Sequence, residues 1–182
     1  MYGLKITDLH QGVVWGTNTN ETLLHKDLCN RYDYDGDYGT VLNRFIMQAA
    51  LKFPLTIHGS GNQVRPFINI NNTADCILLA SENKKRFNKV NIFNQLTETH
   101  RLINLAKKIS SISNCKIQHL KNPRIENENN TLIAKPMGLI ELGLKPIYLS
   151  KDFLIKEIEF VKKYLKRADK KKILAKSKWK IN

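Results

Sequence analysis

The sequence has few of the patterns that mark metal or hydrolytic sites. Its five histidines form no H-E-x-x-H motif, and its three cysteines, Cys29, Cys76 and Cys115, lack the spacing of zinc ligands. There is no G-x-S-x-G motif, and the Gly-Ser-Gly at residues 59–61 is not followed by the Lys-Ser/Thr of a phosphate-binding loop. We therefore expect no metal site. An odd number of scattered cysteines indicates free thiols in a reducing compartment.

Long apolar runs are also missing. No run approaches the roughly 20 residues of a membrane-spanning helix, and the N-terminus has no charged-then-apolar signal pattern. A length of 182 residues, a hydrophobic content of 42% and a mean hydropathy of -0.38 predict one ordinary globular domain without a membrane span.

Acidic residues alternate at Asp33, Asp35 and Asp37. An EF-hand calcium loop that begins at Asp33 needs glycine at its sixth position and glutamate at its twelfth. Tyr38 and Arg44 occupy those positions, so we expect no calcium binding there.

Positive charge is in excess, with a formal net charge of +14. Much of the excess lies between residues 151 and 180, and most of it is lysine, whereas planar, bidentate recognition of phosphates favours arginine. We favour a solvated lysine surface, with residues 170–182 as a basic tail, over a patch that binds polyanions. A basic nucleic-acid-binding protein stays open as an alternative hypothesis.

Strand-like and helix-like segments alternate, which predicts an α/β fold. Residues 4–15 are predicted to form a buried opening strand. Its end at Gly16 and the polar residues 17–20 are typical of a strand that delivers side chains to a site at its carboxyl end. The other predicted elements are strands 55–58, 67–70, 90–93 and 115–120, a hairpin turn at 59–62, helices 40–52, 73–82 (capped by Asn72) and 137–142, and helices capped by Thr97 or Thr99 and by Ser150.

Two arginines stand apart from the lysine-rich segments. Arg65 precedes the predicted strand 67–70, and Arg124 follows Pro123 in a polar loop. A planar guanidinium at a strand edge can hold a diphosphate through two parallel hydrogen bonds. From the residues alone, an ordinary surface arginine remains the simpler interpretation of each.

Several longer motifs resemble those of one known family, the UDP-sulfoquinovose synthases. The first is DLHQGVVWG at residues 8–16, and the collinear others are residues 19–22, 30–36, 39–45, 93–95, 122–126 and 179–180. This family lies within the NAD-dependent epimerase/dehydratase superfamily of extended short-chain dehydrogenases. Its members convert UDP-glucose and sulfite into UDP-sulfoquinovose, the head-group donor of sulfolipid. The resemblance implies NAD as cofactor, UDP-glucose or a related UDP-sugar as substrate, and a cytoplasmic or plastid-stromal location.

The resemblance also implies roles for individual residues. Gln11 and Val14 would lie near the nicotinamide and the sugar, and Arg65 and Arg124 would hold the diphosphate. The remaining residues implied to bind the nucleotide sugar are Val41, Leu42, Asn43 and Arg44 at a helix start, Thr56, Ile57 and His58 at the uracil end, and Ile125 and Glu126 at the uridine.

The sequence departs from the family in three places. His58 stands where the family usually has an aromatic residue. In the run 65–70, Pro66 removes an amide donor next to Arg65 and Asn69 replaces a carboxylate, and residues 127–130 replace an acidic and aromatic run. Relaxed selection or a modified substrate would explain these changes.

Two larger elements of the superfamily are not found in the sequence: the G-x-x-G-x-x-G turn that binds NAD and the Tyr-x-x-x-Lys pair that moves protons. The resemblance therefore implies the last Rossmann strands plus the small substrate-binding domain, with no catalytic residue. We expect a partial domain that is inactive alone: a fragment, a split-gene product that pairs with a separate N-terminal half, or a decaying copy. A homodimer is also open. A non-catalytic UDP-sugar-binding module or partner subunit is the alternative of a different class.

Overall fold

The computed structural model describes residues 6–28, 31–83, 90–122 and 131–174. Strands and helices alternate along most of this chain, so the predicted α/β class is confirmed. The strands are β1 (Thr7–Gln11), β2 (Val13–Trp15), β3 (Leu55–His58), β4 (Val64–Asn69), β5 (Asn91–Gln95), β6 (Glu98–Arg101) and β7 (Ile117–Leu120). The helices are α1 (Val41–Ala50), α2 (Ile70–Glu82), α3 (Leu102–Ser113), α4 (Met137–Glu141) and α5 (Lys151–Lys162).

The described strands form three small sheets. β1 pairs with β5 in parallel, and β3 pairs with β7 in parallel. In the third sheet β4 lies between β2, to which it is parallel, and β6, to which it is antiparallel. The predicted hairpin at residues 59–62 is therefore wrong: β3 and β4 belong to different sheets, and the turn between them carries the chain from one sheet to the other.

The larger core lies where α1, α3 and α5 pack together beside β3. Helix α1 buries Leu42, Phe45, Ile46 and Ala49, because residues three and four apart share one helix face. Trp15 closes this core from β2, and its ring meets the ring of Phe153 edge-on with centroids 4.5 Å apart. A second, smaller core joins β4 to α2 and α4; its buried members are Ile68, Cys76, Leu139 and Leu144.

The predicted opening strand is two strands. Only β2 is buried, at Trp15, whereas most of β1 is exposed, so the prediction of a buried strand over 4–15 holds only at its end. Gly12 separates the two, and its N–H donates to the carbonyl of Gln95 at 2.9 Å. A Cβ at Gly12 would lie 3.0 Å from the backbone of Pro66, so glycine is what lets the chain pass this close to β4.

Two predicted helix caps are also corrected. The N-cap of α2 is Asn69, whose side chain accepts from the N–H of Asn71 at 2.9 Å; Asn72 lies inside the helix. Helix α3 begins after Arg101 without a side-chain cap, so neither Thr97 nor Thr99 caps it. The predicted cap of α5 is confirmed, since Ser150 Oγ accepts from the N–H of Phe153 at 3.1 Å.

The segment with aspartates at 33, 35 and 37 forms a hydrogen-bonded turn. Asp35 Oδ1 accepts from the backbone N–H groups of Asp37 and Tyr38 at 2.9 and 2.7 Å. These bonds, with that from Tyr38 foremost, lower the pKa of the Asp35 carboxyl. A local turn therefore explains this motif.

The first residues of the predicted basic tail are packed against the body of the molecule. Ile173 is buried, and the carbonyl of Lys172 accepts from the N–H of Gly36 at 2.9 Å. Residues 175–182 lie outside the described residues. Over the part of the chain that the structure describes, no helix is both long and apolar enough to cross a bilayer.

Candidate functional site

The sequence neighbours of Gln11 and Arg65 approach each other closely. Gln11 precedes Gly12, Arg65 precedes Pro66, and a Cβ at Gly12 would lie 3.0 Å from the Pro66 backbone. Gln11 itself pairs with Gln95 on β5. Gln11 is exposed and Arg65 is half-buried.

The surroundings of Arg65 are polar and well ordered by hydrogen bonds. Its Nη1 donates to the carbonyl of Val64 at 3.1 Å. His100, which pairs with Arg65 on β6, lies 2.7 Å from the carboxylate of Glu98, and that carboxylate also accepts from the N–H of Leu149 at 2.6 Å. Arg65 therefore lies opposite a strand whose His100 and Glu98 side chains are hydrogen-bonded to each other.

The start of α1 is fixed by its contacts with the preceding segment. Thr40 caps the helix by accepting from the N–H of Asn43 at 3.2 Å. The Asn43 side-chain amide donates to the backbone carbonyl of Asp33 at 3.1 Å. The backbone carbonyl of Asn43 accepts from the hydroxyl of Tyr32 at 3.3 Å. Val41 is half-buried at the first turn. The amide of Asn43 thus has a structural role in addition to any contact with a ligand.

Four of the residues predicted to bind the nucleotide sugar are buried: Leu42, Arg44, Thr56 and Ile57. Leu42 and Ile57 belong to the larger core, so their side chains pack against the protein. The Arg44 guanidinium lies 5.9 Å from the centre of the Phe45 ring. A ligand beside Leu42 or Ile57 would meet backbone groups rather than these side chains.

Thr56 is held by a reciprocal pair of hydrogen bonds. Gln48 Nε2 donates to Thr56 Oγ1 at 2.7 Å, and Gln48 Oε1 accepts from the N–H of Thr56 at 3.1 Å. These bonds join β3 to α1.

Arg124, Ile125 and Glu126 lie outside the described residues. The residues on either side of that segment are both near other predicted site residues. Asn122 lies beside Gly59, which follows His58, and Thr131 forms a parallel bridge with Val64, which precedes Arg65. The path of the chain is therefore anchored next to His58 at one end and next to Arg65 at the other.

The two residues predicted to lie near NAD differ in burial. Gln11 is exposed at the end of β1, whereas Val14 is half-buried and packs against the smaller core of Ile68 and its neighbours. Their contact with NAD stays a prediction.

A further feature lies at the carboxyl ends of β2 and β4, where the polar residues after Gly16 predicted a site. A cavity of about 700 Å³ opens there against α5. Within it, the hydroxyl of Thr17 donates to Glu157 at 2.9 Å, although 140 residues separate the two in sequence. Sequence analysis singled out the polar segment after β2 but not Glu157, which looks like one more charged residue of a lysine-rich helix.

Comparison with known proteins first defines the class. Residues 27–94 match the model of the NAD dependent epimerase/dehydratase family. The fold resembles that of a UDP-glucose 4-epimerase from Thermotoga maritima, with a TM-score of 0.68 at 23% identity over 90% of this chain and 48% of that one. A UDP-glucuronic acid 4-epimerase from Bacillus cereus is similar, with a TM-score of 0.67 at 22% identity over 90% and 47%. The predicted extended short-chain dehydrogenase type of fold is confirmed.

Two relatives are similar in sequence over almost the whole chain. It is 41% identical to the chloroplastic UDP-sulfoquinovose synthase of Spinacia oleracea over 98% of this chain and 38% of that protein. It is 34% identical to the UDP-sulfoquinovose synthase of Sulfolobus acidocaldarius over 98% and 47%. The chain is thus a relative of the UDP-sulfoquinovose synthases, as its motifs indicated, and it spans less than half the length of these two proteins.

Proposed function

We propose that this chain is the nucleotide-sugar-binding portion of a UDP-sulfoquinovose synthase-like enzyme, whose reaction would join UDP-glucose and sulfite. The observation that carries the proposal is the collinear similarity to two such synthases over 98% of the chain. On this proposal the chain by itself binds the UDP-sugar and supplies no catalytic residue.

The geometry around Arg65 supports this proposal. Gly12, which follows Gln11, approaches Pro66, which follows Arg65, and this suits a sugar beside its diphosphate. Among the described residues, Asn122 lies beside Gly59 and Thr131 bridges to Val64, the sequence neighbours of His58 and Arg65. We propose that Arg124 shares the diphosphate with Arg65.

Calorimetric titration with UDP-glucose tests the proposal. Loss of a bidentate contact to a diphosphate costs about 1.5–3 kcal/mol, so Arg65→Ala should weaken binding by about 10- to 150-fold. Arg101→Ala is the matched control: Arg101 pairs with Val64 on the same two strands, and alternate residues of a strand point to opposite faces of the sheet. Arg124→Ala should resemble Arg65→Ala. Equal losses from Arg65→Ala and Arg101→Ala would indicate bulk electrostatic attraction and reject the proposed site.

We further propose that β1 and β5 join a larger parallel sheet supplied by a Rossmann portion, either as a separate N-terminal half or within a longer polypeptide. A two-stranded parallel sheet is rarely stable alone, because parallel sheets are normally covered on both faces. Here most of β1 is exposed, and Ile92 on β5 is 59% exposed. Such an edge favours association through strand pairing.

Co-expression with the remaining N-terminal part of the Spinacia oleracea synthase tests this partner. We expect a complex that elutes as one species in size-exclusion chromatography and retains NAD through purification. The chain alone should self-associate, retain no NAD and make no UDP-sulfoquinovose. The proposal would be contradicted by a monodisperse monomer that does not bind the added half, or by stoichiometric NAD on the chain alone. A homodimer that persists when the N-terminal part is added would favour self-pairing of β1 instead.

We also propose a reducing compartment, either cytoplasm or plastid stroma. Cys76 and Cys115 are buried, free thiols, and the relative from Spinacia oleracea is described as chloroplastic. Fractionation of the source cells, with this chain followed by antibody, would distinguish the two compartments.

A further inference from the structure

The cavity at the carboxyl ends of β2 and β4 is separate from the proposed nucleotide-sugar site. It lies between the chain that follows Trp15, the start of α2 and one side of α5. Gln11 precedes Trp15 by four strand residues, which corresponds to about 13 Å along the strand. At about 700 Å³, the cavity is within the size range of small-molecule sites.

One wall of this cavity carries a buried hydrogen-bonding set. The Thr17 hydroxyl accepts from the side-chain amide of Asn18 at 2.9 Å and donates to Glu157 at 2.9 Å. Glu157 is itself buried, and this burial raises the pKa of its carboxyl, while the hydrogen bonds from Thr17 act in the opposite direction. Asn71 adds a further amide, which is oriented by the side chain of Asn69 at 3.0 Å.

Trp15 also lines the cavity, and its side chain is 1% exposed. Its indole is therefore placed to report on a molecule that binds in the cavity.

Aromatic and charged side chains narrow the chemistry of that molecule. Tyr148 and Phe160 add aromatic surface to the cavity. The buried carboxyl of Glu157 disfavours an anion, whereas Lys156 and Lys163 on the same wall disfavour a cation. Aromatic surface together with carboxyl, hydroxyl and amide groups suits a neutral ring that carries several hydroxyls.

We propose that this cavity is a second binding site, which takes a neutral pyranose sugar whose hydroxyls bond to Glu157 and to the amides of Asn18 and Asn71. The exposed ring of Tyr148 covers one face of the sugar. This site is independent of the diphosphate-binding arginines and does not rest on the proposed function.

Tryptophan fluorescence tests the proposal directly. The chain has two tryptophans, so a Trp179→Phe background leaves Trp15 as the reporter. Titration with maltose should give a saturable change in emission below about 100 mM, a range that suits weak sugar binding. Glucosamine and glucuronate, at equal ionic strength, should bind at least several-fold more weakly than maltose.

Two matched variants make the result decisive. Tyr148 is 61% exposed, so Tyr148→Ala should leave the fold intact and weaken maltose binding about three- to tenfold. Tyr38→Ala is the control, since Tyr38 is 86% exposed and does not line the cavity. Arg65→Ala should leave the maltose response unchanged. A response that is absent, that never saturates, that changes equally in both tyrosine variants, or that disappears in Arg65→Ala would overturn the proposal.

Discussion

Replacing Thr56 with valine should destabilise the protein without changing its affinity for UDP-glucose. Thr56 was predicted to line the uracil end of the site, yet its hydroxyl accepts from Gln48 Nε2 at 2.7 Å inside the protein. Gln48 is 1% exposed and Thr56 is 6% exposed, so water cannot replace the lost acceptor. Valine has nearly the same shape as threonine, and the substitution therefore isolates the hydroxyl.

The expected loss follows from what remains after the substitution. An N–H of the Gln48 amide would stay buried without its acceptor, which costs about 1–3 kcal/mol. The bond from the N–H of Thr56 to Gln48 Oε1 would persist, because it uses the backbone. We therefore expect Thr56→Val to lower the free energy of unfolding by about 1–3 kcal/mol and to change the Kd for UDP-glucose less than about threefold.

Urea unfolding followed by circular dichroism measures this loss at one fixed protein concentration, because self-association would add to apparent stability. The matched control is Thr56→Val in a Gln48→Met background, where no amide donor remains. There the further loss should be below about 0.5 kcal/mol, so that the two residues show a coupling energy of about 0.5 kcal/mol or more. The same loss in both backgrounds, or no loss in either, would refute the hydrogen bond as the cause.

Three further predictions concern the packing and ionisation of buried groups. Gly12→Ala should lower the free energy of unfolding by about 1–3 kcal/mol in the same urea assay, because its Cβ would press on the backbone of Pro66; an unchanged midpoint would contradict that close approach. Burial raises the folded-state pKa of Glu157, so ionisation of this carboxyl opposes folding. As pH rises from below the ordinary glutamate pKa through the raised one, the wild type should therefore lose stability relative to Glu157→Gln. If the urea midpoints of the two proteins respond alike to pH, the carboxyl is not buried. Burial, the largest cause, raises the pKa of Cys76 to about 11, so iodoacetamide near pH 8 should leave this thiol unmodified by mass spectrometry until urea is added; rapid modification of the folded protein would show that it is accessible.

Local signals in the sequence were sufficient for most helices. The apolar spacing over residues 42–50 predicted α1, and Ser150 with the apolar face after it predicted α5. Caps and helix faces depend on residues within one or two turns of each other, so a short window contains the information. The long motifs likewise indicated the family, because they are matched residue by residue.

Local sequence signals did not determine which strands pair. β3 pairs with β7 about sixty residues later, while β4, which follows β3 directly, joins β2 and β6. Either pairing is compatible with the short apolar runs in the sequence. The choice depends on which helices and strands cover each sheet, so the glycine-rich turn at 59–62 was mistaken for a hairpin.

The candidate site divides in the same way. The sequence by itself determined which residue types and motifs are present, including Gln11, Arg65 and the polar segment after Gly16. Only the tertiary structure decided that Gly12 approaches Pro66, that Leu42 and Ile57 face the core, and that Glu157 meets Thr17 across 140 residues. The physical reason is that the direction of a side chain, its burial and its hydrogen-bond partner are set by neighbours from distant parts of the chain.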